Sequence, residues 1–154
     1  MQSPIDHLSL LAQERGLTIA VAESLTSGLL ASEVGKGENA GDWFSGGVVA
    51  YRKPVKVEVL GVPKALDPCS PECAQALAEG VRTLLRSDIA VATTGVGGPD
   101  PEDGHQPGTV YLGWATAQGA GARHLELPGA PDEVLHATVD HALRLLVEIA
   151  ARAG

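Results

Sequence analysis

Two polar turns follow directly on short apolar runs, and a cluster of positive charge lies between them. The first turn, Ala22-Glu23-Ser24-Leu25-Thr26-Ser27-Gly28, sets a carboxylate, three hydroxyls and a glycine after the apolar residues 17–22. The second, Thr93-Thr94-Gly95-Val96-Gly97-Gly98-Pro99-Asp100, closes another buried-type run, 88–95. Between them Arg52, Lys53 and Lys56, three of only 11 basic residues, crowd behind Tyr51. A serine is a weak nucleophile until a base takes its proton, and a lysine can be that base where burial or a neighbouring cation lowers its pKa. If the segments meet, a Ser/Lys pair is available. Otherwise the hydroxyls are ordinary helix caps and the cations a solvated loop. A helix following the first turn would also aim free N–H groups at an anion or a developing oxyanion.

Other chemistry is argued against by spacing. Gly95-Val96-Gly97-Gly98 lacks the dinucleotide fingerprint because position 100 is Asp100, and no phosphate-loop motif ending in Gly-Lys-Ser/Thr occurs. Asp100, Glu102, Asp103 and His105 stand in a Pro-rich loop, where turn formation competes with metal ligation. His136 and His141 are five apart, outside the spacing of paired zinc ligands on a helix. Cys69 and Cys73, the only cysteines, are too few for a disulfide framework and read as reduced thiols, one near a helix start and one inside it.

The elements that must position these groups follow from periodicity. Apolar residues at helical spacing over 4–15, ended by Gly16, predict a first helix. Residues 17–22 and 88–95 predict strands buried on both faces, and Ser24, Thr26 or Ser27 could cap a helix over the following GLLASEV. Residues 35–42 read as a polar loop, 43–51 as a second strand with an internal glycine pair, and 52–62 as a short basic segment. Ser70-Pro71-Glu72 opens a helix with a hydroxyl cap and proline at its first position. Residues 109–117 and 122–127 predict an antiparallel hairpin joined by QGAG, and 132–152 a closing helix. This order predicts a single α/β domain spanning 1–154, a mixed sheet covered by helices on both faces.

The totals agree with such a domain. A chain of 154 residues with 44% hydrophobic content can bury one core, and 3% aromatic content makes that core aliphatic. A net charge of -8, from 11 basic and 19 acidic residues, disfavours nucleic acid as a partner. The N-terminal stretch shows no signal-peptide pattern and no window nears 18 apolar residues, so a cytoplasmic location without membrane insertion is expected. Exposed sheet edges and base rates point to a homo-oligomer, a dimer first.

The blocks AESLTSG, WFSGGVVAYRKPVKVEVLGV, SPECAQALAEG and TTGVGGPDPEDGHQPGTVYLGWAT together resemble the competence/damage-inducible CinA C-terminal domain family, over roughly residues 5–150. The resemblance implies a three-layer α/β/α sandwich and hydrolysis of the nicotinamide mononucleotide carboxamide to nicotinate mononucleotide and ammonia, in pyridine nucleotide salvage. It implies Ser24 as nucleophile, Lys56 as base and Tyr51 as the residue orienting one of them. It further implies Glu23 beside the lysine, an oxyanion pocket around Thr26, Ser27 and Gly28, and a nucleotide cradle from Thr94, Gly95, Gly97 and Gly98. No metal or organic cofactor is implied. Three departures stand out: Ser27 where the family has a second glycine, Arg52-Lys53-Pro54-Val55 where it has a polar stretch, and no arginine around Gly129. These departures support an alternative, a nucleotide-binding module of the same fold with little or no catalysis.

Overall fold

The structure, a computed structural model, describes residues 2–153, so Met1 and Gly154, the two ends of the expected domain, lie outside it. Three parallel strands form one side of the sheet: β1 (Ile19–Glu23), β2 (Phe44–Val49), which is an edge strand, and β3 (Ile89–Gly95). The hairpin β4 (Thr109–Thr116) and β5 (Gly119–Glu126) adds antiparallel strands, giving the sheet order β2-β1-β3-β4-β5. The hairpin turn is tighter than expected, because β5 already begins at Gly119 and only Ala117 and Gln118 lie between the strands.

Side-chain alternation along the inner strands divides the core into two layers. Ile19, Val21, Ile89 and Val91 point to one face, under helices α1 (Pro4–Arg15) and α6 (Pro131–Arg152), which contribute Leu8, Leu11, Leu143 and Leu146. Ala20, Ala22, Ala90 and Ala92 point to the other, under Leu77, Ala78 and Val81 of α5 (Pro71–Leu85). Alanines on that face let α5 lie close to the sheet. The expected α/β/α sandwich with a mixed sheet is therefore the observed one.

The helix ends explain the boundaries. Ser3 accepts from the Asp6 N–H at 3.3 Å and Gly16, at φ 63°, ends α1 in the left-handed conformation. Arg15 donates to the carbonyls of Ala150 and Ala153, fastening α1 to the end of α6. Ser70 accepts from the Cys73 N–H at 3.1 Å and Pro71 occupies the first turn of α5.

Three expectations are corrected. The basic segment is not a loop but the helix α4 (Lys53–Leu60), with Pro54 in its first turn and Gly61 as its left-handed C-cap. The polar stretch 35–42 runs into a single turn, α3 (Ala40–Trp43). No hydroxyl of the first polar turn caps α2 (Leu29–Val34); the N-cap is Gly28, at φ 106°, and Glu23 does the capping.

Candidate active site

The three parallel strands end at one level, and that level carries the groups singled out by spacing. The Ser24 N–H donates to the Thr93 carbonyl at 3.1 Å and the Ala50 N–H to the Glu23 carbonyl at 2.8 Å, so the ends of β3 and β2 flank Ser24. Because β4 is antiparallel, its first residue, Thr109, arrives at the same edge. Ligands in open α/β sheets gather outside the carboxyl ends of parallel strands. A cavity of about 620 Å³ opens there, lined among others by Ser24, Ser27, Tyr51, Lys53, Lys56 and Cys69.

Lys56 is the least expected feature. Its side chain is 3% exposed, and its Nζ donates to the Tyr51 carbonyl at 2.7 Å. Burial pushes its pKa below the ordinary 10.5, opposed by the nearby Cys73 thiol and the Glu102 carboxylate. The α4 helix holds this geometry because it sits tightly on α5. A Cβ at Gly80 would collide with the Leu60 carbonyl oxygen and reach its carbon at 2.9 Å, so only glycine permits the approach. Tyr51 thus meets Lys56 through its main chain, while its ring is 64% exposed at the cavity rim.

Ser24, also buried, has no hydrogen bond to its hydroxyl among the described residues and none to Lys56. Of the neighbouring N–H groups, that of Ser27 is used by the Ser24 carbonyl and that of Leu29 by the Thr26 carbonyl. Glu23 takes the next two: its oxygens accept from Leu30 N at 2.8 Å and Ala31 N at 3.0 Å. It is spent on the start of α2 and makes no bond to the lysine, contrary to the role that the resemblance implied. Thr26 is fully buried and shares a 2.8 Å hydrogen bond with Thr93. Neither it nor Glu23 nor Gly28 lines the cavity.

The second turn supplies the opposite wall. Thr94, Gly95, Gly97 and Gly98 all line the cavity. Thr94 donates to the Pro68 carbonyl at 2.6 Å, tying the segment before α5 to β3. At Gly95 a side chain is excluded by the β4 backbone, since a Cβ would stand 2.8 Å from the Val110 Cα; its reason for being glycine is structural.

Spacing did not single out Asp67, which forms a 2.8 Å hydrogen bond with the His105 Nε2 across the cavity. Burial raises the Asp67 pKa, but the hydrogen bonds from His105 and the Cys69 N–H, with the charges of His105 and Lys53, hold it below the usual value. Cys69, the other potential nucleophile in the cavity, is pushed up to about 11 by burial and the surrounding carboxylates, so it stays a thiol at neutral pH. Cys73 is raised too, by burial, with Lys56 opposing. Both cysteines are free. The segment at Gly129, where the resemblance leads one to look for an arginine, brings Pro131 and Leu135 to the wall.

A second cavity, of about 550 Å³, lies at the other end of the sheet under Trp114, Leu145 and Ile149. Its polar groups are largely engaged, Asp88 by Thr18 and Arg123 by Glu148. Among the described residues no three His, Cys, Asp or Glu side chains cluster as a metal site would require, and no helix is long and apolar enough to cross a membrane.

Comparison with known proteins places this geometry among relatives. The family model for the CinA C-terminal domain matches residues 2–150. The chain is 42% identical over 144 residues to a competence-damage inducible protein of Geobacillus kaustophilus, covering 90% of this chain and 35% of that one. It is 46% identical over 115 residues to the protein of the same name from Bacillus subtilis, covering 72% and 28%. The chain thus spans about a third of the length of the curated relatives it matches. Among solved structures it is similar to a CinA superfamily protein from Klebsiella pneumoniae, with TM-score 0.91, 28% identity and 96% of each chain covered. It is also similar to a competence/damage-inducible protein from Agrobacterium tumefaciens, with TM-score 0.86, 26% identity and 97% of each chain covered.

Proposed function

The chain belongs to the CinA C-terminal domain family, and from that premise we propose that it is an amidohydrolase converting nicotinamide mononucleotide to nicotinate mononucleotide and ammonia. The observation that carries this reading is Lys56: a buried lysine, its pKa lowered by burial, opening into the same cavity as the unengaged Ser24 hydroxyl. A neutral lysine amine donating one N–H to the Tyr51 carbonyl keeps a lone pair free to act as base.

In the proposed reaction the Ser24 Oγ attacks the carboxamide carbon while Lys56 takes its proton. The carbonyl oxygen gains negative charge, for which the N–H group of Leu25 is the candidate, since Leu25 lines the cavity and its N–H has no backbone partner among the described residues. Lys56 returns the proton to the amide nitrogen, the C–N bond breaks, and ammonia leaves an ester on Ser24. Water then attacks the ester with Lys56 again as base, and the Ser24 hydroxyl is regenerated with the carboxylate product. None of these steps calls on a metal or organic cofactor. The cavity of about 620 Å³ is of the size that small-molecule sites have.

A binding module without turnover is the second reading. It is favoured by the missing Ser24 to Lys56 hydrogen bond and by the apolar Pro131 and Leu135 on the α6 wall. Catalytic hydrogen bonds do tighten on substrate binding, which weakens the first of these points. Incubating the protein with nicotinamide mononucleotide and measuring ammonia against nicotinate mononucleotide separates the two. Equimolar products support the amidase. Saturable binding with neither product supports the module.

A further inference from the structure

The cavity is short of free positive charge, and that shortage identifies a specificity residue. Asp67, Glu102 and Asp103 line it, against Lys53, Lys56 and His105. His105 is held by Asp67 at 2.8 Å, and Lys56 is buried with its amine on the Tyr51 carbonyl. The α6 wall adds only Pro131 and Leu135. Of the three, Lys53 alone makes no ion pair or side-chain hydrogen bond among the described residues, and it is exposed at the rim one turn before Lys56 on the same helix. A helix turn carries it about 5 Å along the axis from Lys56, so an anionic group displaced from the reacting carbon by a sugar's width falls within its reach.

We infer that Lys53 is the specificity residue for the phosphate of the substrate, the group that makes this acid-lined cavity accept an anionic ester rather than repel it. This inference rests on the proposed nucleotide substrate, but its test does not depend on turnover. Binding of nicotinamide mononucleotide and of phosphate-free nicotinamide riboside is measured by calorimetry for wild type, Lys53→Gln and Lys53→Arg at low and physiological salt.

The affinity ratio of mononucleotide to riboside should fall about tenfold in Lys53→Gln, the worth of one charge-assisted contact to a phosphate. Lys53→Arg should recover most of it, and the wild-type ratio should shrink as salt rises. An unchanged ratio in Lys53→Gln, whether both ligands weaken equally or neither does, overturns the inference. Ammonia release from the wild type is followed alongside: its absence with the ratio still falling would remove the amidase reading and leave Lys53 as the phosphate reader.

Discussion

Glu23 offers the sharpest test of how the first polar turn is held. Glu23 is 1% exposed, and both carboxylate oxygens accept backbone N–H groups, at 2.8 and 3.0 Å, from the first turn of α2. Hydrogen bonds to a charged acceptor contribute about 1.5–3 kcal/mol each. Glu23→Gln keeps the shape but turns a donating NH₂ against one N–H, which should cost about 2–3 kcal/mol. Glu23→Ala leaves both N–H groups without partners and a void beside them, about 4–6 kcal/mol, a large fraction of the stability of an ordinary domain. Urea unfolding followed by circular dichroism measures both. The midpoint should fall in the order wild type, Gln, Ala, with the denaturant slope unchanged in Gln. A Glu23→Ala protein unfolding at the wild-type midpoint would refute the assignment of Glu23 as the clamp on the turn carrying Ser24.

Three further perturbations follow from the geometry. Gly80→Ala gains about 1 kcal/mol of helix propensity but drives a methyl into the Leu60 backbone. A net loss of about 1–2 kcal/mol in thermal unfolding is expected, with a larger loss of turnover, near a hundredfold, because displacing α4 by about 1 Å misplaces Lys56. Ser27 is held at φ 51°, a conformation that costs a side-chain-bearing residue about 1 kcal/mol, so Ser27→Gly should leave stability unchanged or raised by up to about 1 kcal/mol; a clear drop in melting temperature would contradict this. Lys56 has a folded pKa below 10.5, so the unfolded chain binds more protons between that lowered value and 10.5, and stability attributable to Lys56 rises with pH across the window. Relative to Lys56→Met, the wild type should gain stability in urea titrations between neutral pH and pH 10.5, and its ammonia release should increase as Lys56 deprotonates. A flat difference between the two proteins would remove burial as the cause of the shift.

Much of this architecture could be read from pattern because single local causes set it. Residues 17–22 and 88–95 are continuous apolar runs bounded by turns, and they became β1 and β3 at the sheet centre, with strand limits shifted by one or two residues. Ser70-Pro71 and Gly16 announced helix ends that the structure keeps. The α4 helix was hidden by its own charges: Arg52, Lys53 and Lys56 look solvated, yet Pro54 in the first turn and Gly61 at the end were the available signals. Lys56 is buried on a helix that packs against α5 where Gly80 meets Leu60, positions 20 apart in sequence, and no local pattern encodes that contact. The Asp67 and His105 pair joins positions 38 apart, beyond any spacing rule. Glu23 went astray for a related reason. Its side chain caps a helix from seven residues upstream, where cap preferences are stated for the residue beside the helix.

The central claim is that Ser24 is the nucleophile and Lys56 its base, and it is tested most directly by steady-state ammonia release from nicotinamide mononucleotide in wild type, Ser24→Ala and Lys56→Met, each shown to be folded by its urea midpoint. Release by the wild type and loss of at least a thousandfold in both variants is the expected result. Release in Ser24→Ala within tenfold of the wild type would contradict the claim, because a serine that forms the bond to the substrate carbon cannot be replaced by a methyl group at so small a cost.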